Sequence, residues 1–417
     1  MDLSRRALMR ILFICDLNSI HSQKWIRYFI DRKADVYIYS TTAFAGDFLG
    51  ARVFSKGSVV PPTSVANNKW ASSFFKLPIS GIAMGVAEKM FLRRKVSALV
   101  SSTDSLRDAI EEILPSIRPD MIHCLRIPNE GFIGAKLSST SPLAVSTWGN
   151  DLTYWAQMPA FRKMTEDTLK RADFLFTDCE RDVRLAHKHG FSDRKPFAVL
   201  PGAGGMMPED LEAGKGTLTS RTDFFRENFG IEGRPILLSL RGFGSQDIDN
   251  TPLLKACTLL AGRGVDLRLV IAGKKNSFRY FKLQRFIKTH RLEGRVFLVD
   301  EMPHGKALEA LRAADFSVSI SRNDGTPNSM LEAMTFGAIP LMSDIESIRE
   351  WIKDGVNGYL FDPRSPDSIA SVIQRAFSET NKYLTVRERN HEIISKRAVY
   401  LTNMKEAERA LEGLTRS

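Results

Sequence analysis

Residues 314–363 read ADFSVSISRNDGTPNSMLEAMTFGAIPLMSDIESIREWIKDGVNGYLFDP, and their reading decides the fold. The run DFSVSIS predicts a short buried strand that ends near Ser321. A polar loop follows, and Pro327 and Asn328 then open a helix that contains Glu332. AIPLMSD and GYLFDP predict two further strands. Asp324 precedes the helix and Glu332 lies inside its second turn. Amides at a helix start can bind anions, and nearby carboxylates can accept bonds from hydroxyl groups.

The same rhythm extends in both directions. Upstream in the same half lie RPILLSL, LRLVIAG and RVFLVD; in the first half lie RILFIC, DVYIYS, DMIHCL, LAVSTW, DFLFTD and FAVLP. Short β-branched apolar runs alternating with helical patterns indicate parallel α/β sheets. Between the two sets, MMPEDLEAGKGTLTSRTD is polar and short of buried strand patterns, which reads as a linker. The expected organisation is a first lobe over 1–205, a linker over 206–230, a second lobe over 231–377 and terminal helices over 378–417. Open α/β sheets bind ligands outside the carboxyl ends of their strands, so two facing lobes would place a site in the cleft between them.

Length and composition agree with this division. At about 150 residues per domain, 417 residues make two or three domains. Hydrophobic residues at 43% and charged residues at 26% exclude disorder, collagen and coiled coil as whole-chain descriptions. No apolar run approaches the ~20 residues that span a bilayer. After the basic start, the run Ile11 to Cys15 is cut short by Asp16, too early for a signal sequence. Cys15, Cys124, Cys179 and Cys257 have no paired spacing, which argues against disulfides or a cysteine zinc site and for a cytoplasmic location. The net charge of +11 favours anionic partners, while no nucleic-acid motif is present.

The 314–363 segment resembles the donor-binding signature of the family-4 retaining glycosyltransferases, glycosyl transferases group 1, of the GT-B fold. Asp324, Gly325, Pro327, Glu332, Ala333, Met334, Gly337 and Pro340 match its pattern, as do Glu350, Asp354, Gly355, Asn357 and Gly358 downstream. The resemblance implies two Rossmann-like doubly wound lobes, an interlobe cleft and a C-terminal crossover helix. It implies that Glu332 binds the ribose of a nucleotide sugar and that Asp324, with the Gly325–Thr326 backbone, holds the donor sugar. The family usually has Glu where Asp324 stands, one methylene longer.

In RPILLSLRGFGSQDIDN, the family's diphosphate-binding arginine corresponds to Arg241, but its lysine partner is replaced by Gln246. A cation about 4 Å from phosphate is worth ~4 kcal/mol at an effective dielectric of 20, before desolvation. Lys274 and Lys275, at the next strand end in VIAGKKN, are the candidates to compensate. The family generally works without a bound metal or cofactor, and no acidic metal cluster is evident in the sequence. In the first lobe, Asn18 and His21 follow the first strand in a loop that the resemblance places near donor or acceptor. His123 lies at a strand end. In TWGNDL, Trp148 stands where many relatives have His, and Asp151 is a candidate to orient or deprotonate the acceptor hydroxyl, or to cap a helix. Gly202, Gly204 and Gly205 in PGAGG permit close backbone approach.

Residues 74–95, FFKLPISGIAMGVAEKMFLRRK, carry an apolar stripe and then three basic residues. This is the pattern of a peripheral helix on the inner membrane face, although a stripe at this spacing is more often core packing. The expected activity is retaining transfer of a sugar from a nucleotide diphosphate sugar to a glycan or lipid-linked acceptor. A nucleotide-sugar 2-epimerase of the same fold and a non-catalytic nucleotide-binding member are the alternatives.

Overall fold

The computed structural model describes residues 9–55, 81–215, 223–243, 248–275 and 278–415, with backbone alone for 81–96, 98 and 278. Two compact units divide the chain. One runs through Gly204 and is rejoined by the chain from Thr402 onward; the other is Gly205–Leu401.

The first unit is built on seven strands: β1 (Arg10–Cys15), β2 (Asp35–Ser40), β3 (Arg52–Ser55), β4 (Met121–Cys124), β5 (Leu143–Ser146), β6 (Phe174–Thr177) and β7 (Phe197–Val199). Their order is β3-β2-β1-β4-β5-β6-β7, and the pairings are parallel. The second unit holds β8 (Ile236–Ser239), β9 (Arg268–Ala272), β10 (Val296–Val299), β11 (Phe316–Ser319), β12 (Ile339–Ser343) and β13 (Tyr359–Phe361). Its order is β10-β9-β8-β11-β12-β13, also parallel. In each sheet the chain starts in the middle, winds outward, then reverses beside its first strand. That reversal is the point where doubly wound sheets open a crevice for ligands.

The strands are short because they are buried on both faces, and continuous apolar runs are what such strands require. Leu12, Ile14, Ile122, Val145 and Leu175 fill one face of the first sheet. In the second unit, Leu238, Val270 and Met342 face one core and Leu237, Leu269, Ile271 and Leu341 the other. The strands predicted from sequence all form. β3 was not foreseen: RVFS is an edge strand with two exposed ends and no apolar run to announce it.

The expected linker over 206–230 needs correcting. It contributes two helices, Pro208–Lys215 and Phe224–Phe229, to the second unit. Phe224 and Phe225 are buried in that unit's core. A Cβ on Gly214 would come within 2.6 Å of the Thr335 carbonyl, so glycine is what lets the first of these helices seat there. The tail also divides. Tyr383–Arg397 packs in the second unit, while from Thr402 the last helix belongs to the first. There Asn403 donates to the Gly204 carbonyl at 3.0 Å, and the Tyr28 hydroxyl donates to Glu408 at 2.9 Å. The 74–95 stretch lies largely outside the described residues. Its backbone from Gly81 opens the long Gly81–Ile117 helix, and among the described residues no helix is long and apolar enough to cross a membrane.

Candidate functional site

In the second unit the site grows from the carboxyl ends of β8 and β11. β11 delivers Ser321, whose amide donates to the Ser343 hydroxyl at the end of β12 (2.9 Å). The loop then turns into the Asn328–Phe336 helix through Pro327, which is extended and pre-shaped for a helix start. Gly337 ends the helix in the left-handed conformation that glycine tolerates best.

Asp324 is buried in this loop. It forms an ion pair with Arg241, accepts from the Ser321 hydroxyl at 3.1 Å and accepts from the Gly325 amide at 3.1 Å. Arg241 also donates to Ser321 Oγ at 3.3 Å and keeps 26% of its side chain exposed. The two residues predicted for diphosphate and sugar are therefore joined in one ion pair. The loop is held from behind. The Ser347 hydroxyl donates to the Asp324 carbonyl (2.7 Å), and the Trp351 indole donates to Thr326 Oγ1 (3.0 Å). The Thr326 hydroxyl is thus tied to the scaffold. Ser321 was named only as the strand's end, and Ser347 and Trp351 were not singled out from sequence, although all three lie in the quoted stretch.

The downstream matches are structural. Asn357 donates to the Trp351 carbonyl (2.9 Å) and to Asn390 (3.0 Å), while its own oxygen accepts from the Lys353 amide (2.7 Å). A Cβ on Gly358 would meet the Pro340 carbonyl at 2.9 Å.

Lys274 and Lys275 follow β9 and are exposed. Gly242 sits at φ 64°, where a Cβ would lie 2.8 Å from the Ala272 carbonyl, and one on Gly273 would lie 3.0 Å from Gly242 Cα. The loops after β8 and β9 therefore touch, which sets Arg241 and the two lysines on one rim of the sheet. Gln246 lies outside the described residues. Glu332 is on the helix with 17% of its side chain exposed, 3.8 Å from Nδ1 of His304, a residue that sequence reasoning missed.

In the first unit the candidate groups gather at the ends of β1, β4, β5 and β6. Asn18 spends its amide on Thr42 Oγ1 (2.9 Å) and the Ala43 carbonyl (3.0 Å). His21, half-buried, lies edge-on to Trp148 with ring centroids 6.2 Å apart. Asp151 is fully buried. One oxygen takes Arg126 Nη2 at 2.6 Å and Nε at 3.1 Å; the other accepts from the amides of Ile127 (3.3 Å) and Trp148 (3.2 Å). Both oxygens of Asp151 are thus committed to the protein. The residue is a clamp on the Trp148–Asp151 turn. Asp178 and Arg181 grip the same turn through the Gly149 amide (3.3 Å) and carbonyl (3.2 Å). His123 is a core histidine: it shares a hydrogen bond of 2.9 Å with Ser146 and stacks on Phe176, and burial pushes its pKa down to about 3.

Burial also raises the Glu130 carboxyl to about 8, although Thr41 donates to it at 2.9 Å. Burial, with Asp178 beside it, raises Asp182 despite its pairing with Arg181. Among the described residues Asp178, Cys179 and Asp182 are the one group close enough to ligate a metal, and Arg181 already supplies positive charge to it.

Residues 221–393 match the family described as glycosyl transferases group 1, and residues 80–178 match glycosyl transferase 4-like. A GDP-mannose:cellobiosyl-diphosphopolyprenol alpha-mannosyltransferase of Xanthomonas oryzae pv. oryzae (strain PXO99A) is 29% identical over 129 residues. Those residues are 30% of this chain, and the match spans 34% of that relative's length. Two solved structures share the fold over nearly the whole chain. The Anabaena Alr3699/HepE structure with UDP and glucose has a TM-score of 0.66 at 15% identity, covering 97% of this chain and 99% of that one. Sucrose-phosphate synthase of Thermosynechococcus elongatus has a TM-score of 0.69 at 13% identity, with the same coverage.

Proposed function

We propose that the chain is a group 1 glycosyltransferase of GT-B fold and that it moves a sugar from a nucleotide diphosphate sugar to a hydroxyl of a glycan or lipid-linked acceptor, with retained configuration and without a metal. The observation that carries this reading is the joined Arg241–Asp324–Ser321 cluster at the carboxyl ends of β8 and β11. Negative charge develops on the leaving diphosphate, and a fixed guanidinium aimed at that rim stabilises it without reorganising. Lys274 and Lys275 add charge from the neighbouring loop. Glu332 accepts from the ribose hydroxyls. Asp324 and the Gly325–Thr326 backbone face the sugar. In the first unit Asn18, His21 and Trp148 are the candidate ligand contacts, and Asp151 fixes the turn that carries Trp148.

A UDP-bound fold neighbour and a relative that uses GDP-mannose support a uridine or guanosine diphosphate donor. The lipid diphosphate in that relative's name supports a lipid-linked acceptor. A thermal-shift screen of UDP, GDP and ADP identifies the base. Calorimetry on Arg241→Ala then tests the site: the variant loses nucleoside diphosphate affinity by a factor of about ten to a hundred, one charge-assisted contact, and keeps its nucleoside affinity. Equal loss for both ligands overturns the phosphate role. Product anomeric configuration by NMR and activity in chelator check the retaining, metal-free chemistry; an inverted product or a chelator-silenced enzyme sinks it. The donor incubated alone yields no epimer.

A further inference from the structure

Residues 274–295 hold eight of the chain's Lys and Arg side chains and one acid, Glu293, a net of +7 within a chain of +11. The Phe278–Thr289 helix runs through this stretch. Its inward side is ordinary core: Leu283 and Ile287 are buried, with Tyr280 and Phe286 packed beside them. Its outward side is not ordinary. Phe281, Arg285 and Lys288 recur at helical spacing on one face, Lys282 adjoins them, and all four are exposed. Phe281 is 53% exposed. Among the described residues neither Arg285, Lys288 nor Arg291 has a carboxylate at ion-pair distance, whereas Arg268 and Arg295 nearby are both paired with Asp266. Beside the helix, an open recess of about 530 Å³ carries Lys275 and Lys288 together with Ile231, Tyr280, Ile287 and Glu293.

We infer that this helix face docks the protein on an anionic phospholipid surface. Unneutralised cations attract a charged leaflet at ~1 kcal/mol each near the surface. An exposed aromatic ring among them enters the interfacial layer, where its apolar body leaves water. The face fits single-stranded nucleic acid poorly, because stacking of successive bases needs a groove with several aromatic platforms and this helix offers one ring. It fits a protein partner poorly as well, since interface centres are depleted in lysine. The inference goes beyond the donor chemistry and does not depend on it. It concerns a different stretch from residues 74–95.

Sedimentation with phosphatidylcholine vesicles, with and without about a third phosphatidylglycerol, tests it on the full chain. The unaltered protein binds the anionic vesicles and is released by salt. The triple variant Lys282→Glu, Arg285→Glu, Lys288→Glu loses at least about a hundredfold in partition, from ~1 kcal/mol per charge. Phe281→Ser loses less, and its loss persists at high salt. Unchanged thermal unfolding by circular dichroism shows that both variants fold. Indifference of the unaltered protein to anionic vesicles overturns the inference. So does wild-type partition of the triple variant, or tighter binding of a single-stranded ribo-oligonucleotide than of vesicles.

Discussion

Each unit places an arginine–aspartate pair at the carboxyl ends of its sheet, Arg126 with Asp151 in one and Arg241 with Asp324 in the other. The arginines are similarly exposed, at 32% and 26%. The aspartates differ in whom else they serve. Asp151 holds two backbone amides from two loops as well as its arginine, and its side chain is sealed from water. Asp324 holds a hydroxyl and the amide of the next residue, and its arginine is also tied to that hydroxyl. The first pair therefore fastens a loop to its neighbour, while the second presents its two charges on one rim. The ion pair is the same; its other partners decide whether it is scaffold or working part.

Removing the two carboxylates breaks or confirms that distinction. Asp151→Ala strands two backbone amides and leaves the Arg126 guanidinium only Asn150 Oδ1 at 3.4 Å, and breaking such a buried arrangement costs about 3–5 kcal/mol. Asp324→Ala strands one amide, and Arg241 keeps the Ser321 hydroxyl, so about 1–2 kcal/mol is expected. Urea unfolding measures both. The activity order is reversed relative to the cause: Asp324→Ala loses turnover while still folded and still binding nucleotide. Equal destabilisation by the two substitutions would mean that both pairs are scaffold.

A second contrast lies in protons. The first unit buries Glu130 among Thr41 and the end of β1, and burial raises its pKa from 4.5 to about 8. Below 4.5 both folded and unfolded chains hold the proton. Between 4.5 and about 8 only the folded chain does, so the stability this group contributes is full at the acid end and lost as pH rises through that window. Glu130→Gln keeps the shape and removes the titration. The difference in unfolding free energy between variant and wild type should shift with pH at up to ~1.4 kcal/mol per unit across the window, in the variant's favour as pH rises. His123 acts in the opposite sense: its depressed pKa makes stability fall as pH drops below 6.5. A pH-independent difference for Glu130→Gln would remove the buried, protonated carboxyl from the account.

The two units were unequally legible in the sequence. In the second, the candidate site sits on a strand end and a helix start, and Pro327, Asn328, Glu332 and Gly337 mark that turn by local chemistry. What escaped was the backing of the loop, Ser347 and Trp351, because a hydroxyl and an indole announce nothing until the fold brings them to Asp324 and Thr326. In the first unit the strands were plain but the partner of Asp151 was not. Its arginine lies 25 residues upstream, after a different strand, and no local pattern pairs them. Edge strand β3 and the two helices in the expected linker were missed for a related reason: their stability comes from packing against distant residues, not from periodicity of their own.

The smallest effect sharpens the comparison inside the second unit, where Glu332 has a histidine neighbour. His304 lies 3.8 Å from the Glu332 carboxylate but is 64% exposed. Exposed pairs contribute under about 1 kcal/mol and fade with salt. If Glu332 serves the ligand directly, Glu332→Gln weakens binding of the nucleoside and of its diphosphate alike, by about 1.5–3 kcal/mol for bonds to a charged acceptor. His304→Ala, acting only through that carboxylate, changes affinity by less than about threefold, and the change shrinks at high salt. Calorimetry at two ionic strengths separates these. A histidine variant as costly as the glutamate variant, and indifferent to salt, would place His304 on the ligand itself and make the pair, not the carboxylate alone, the nucleoside-binding element.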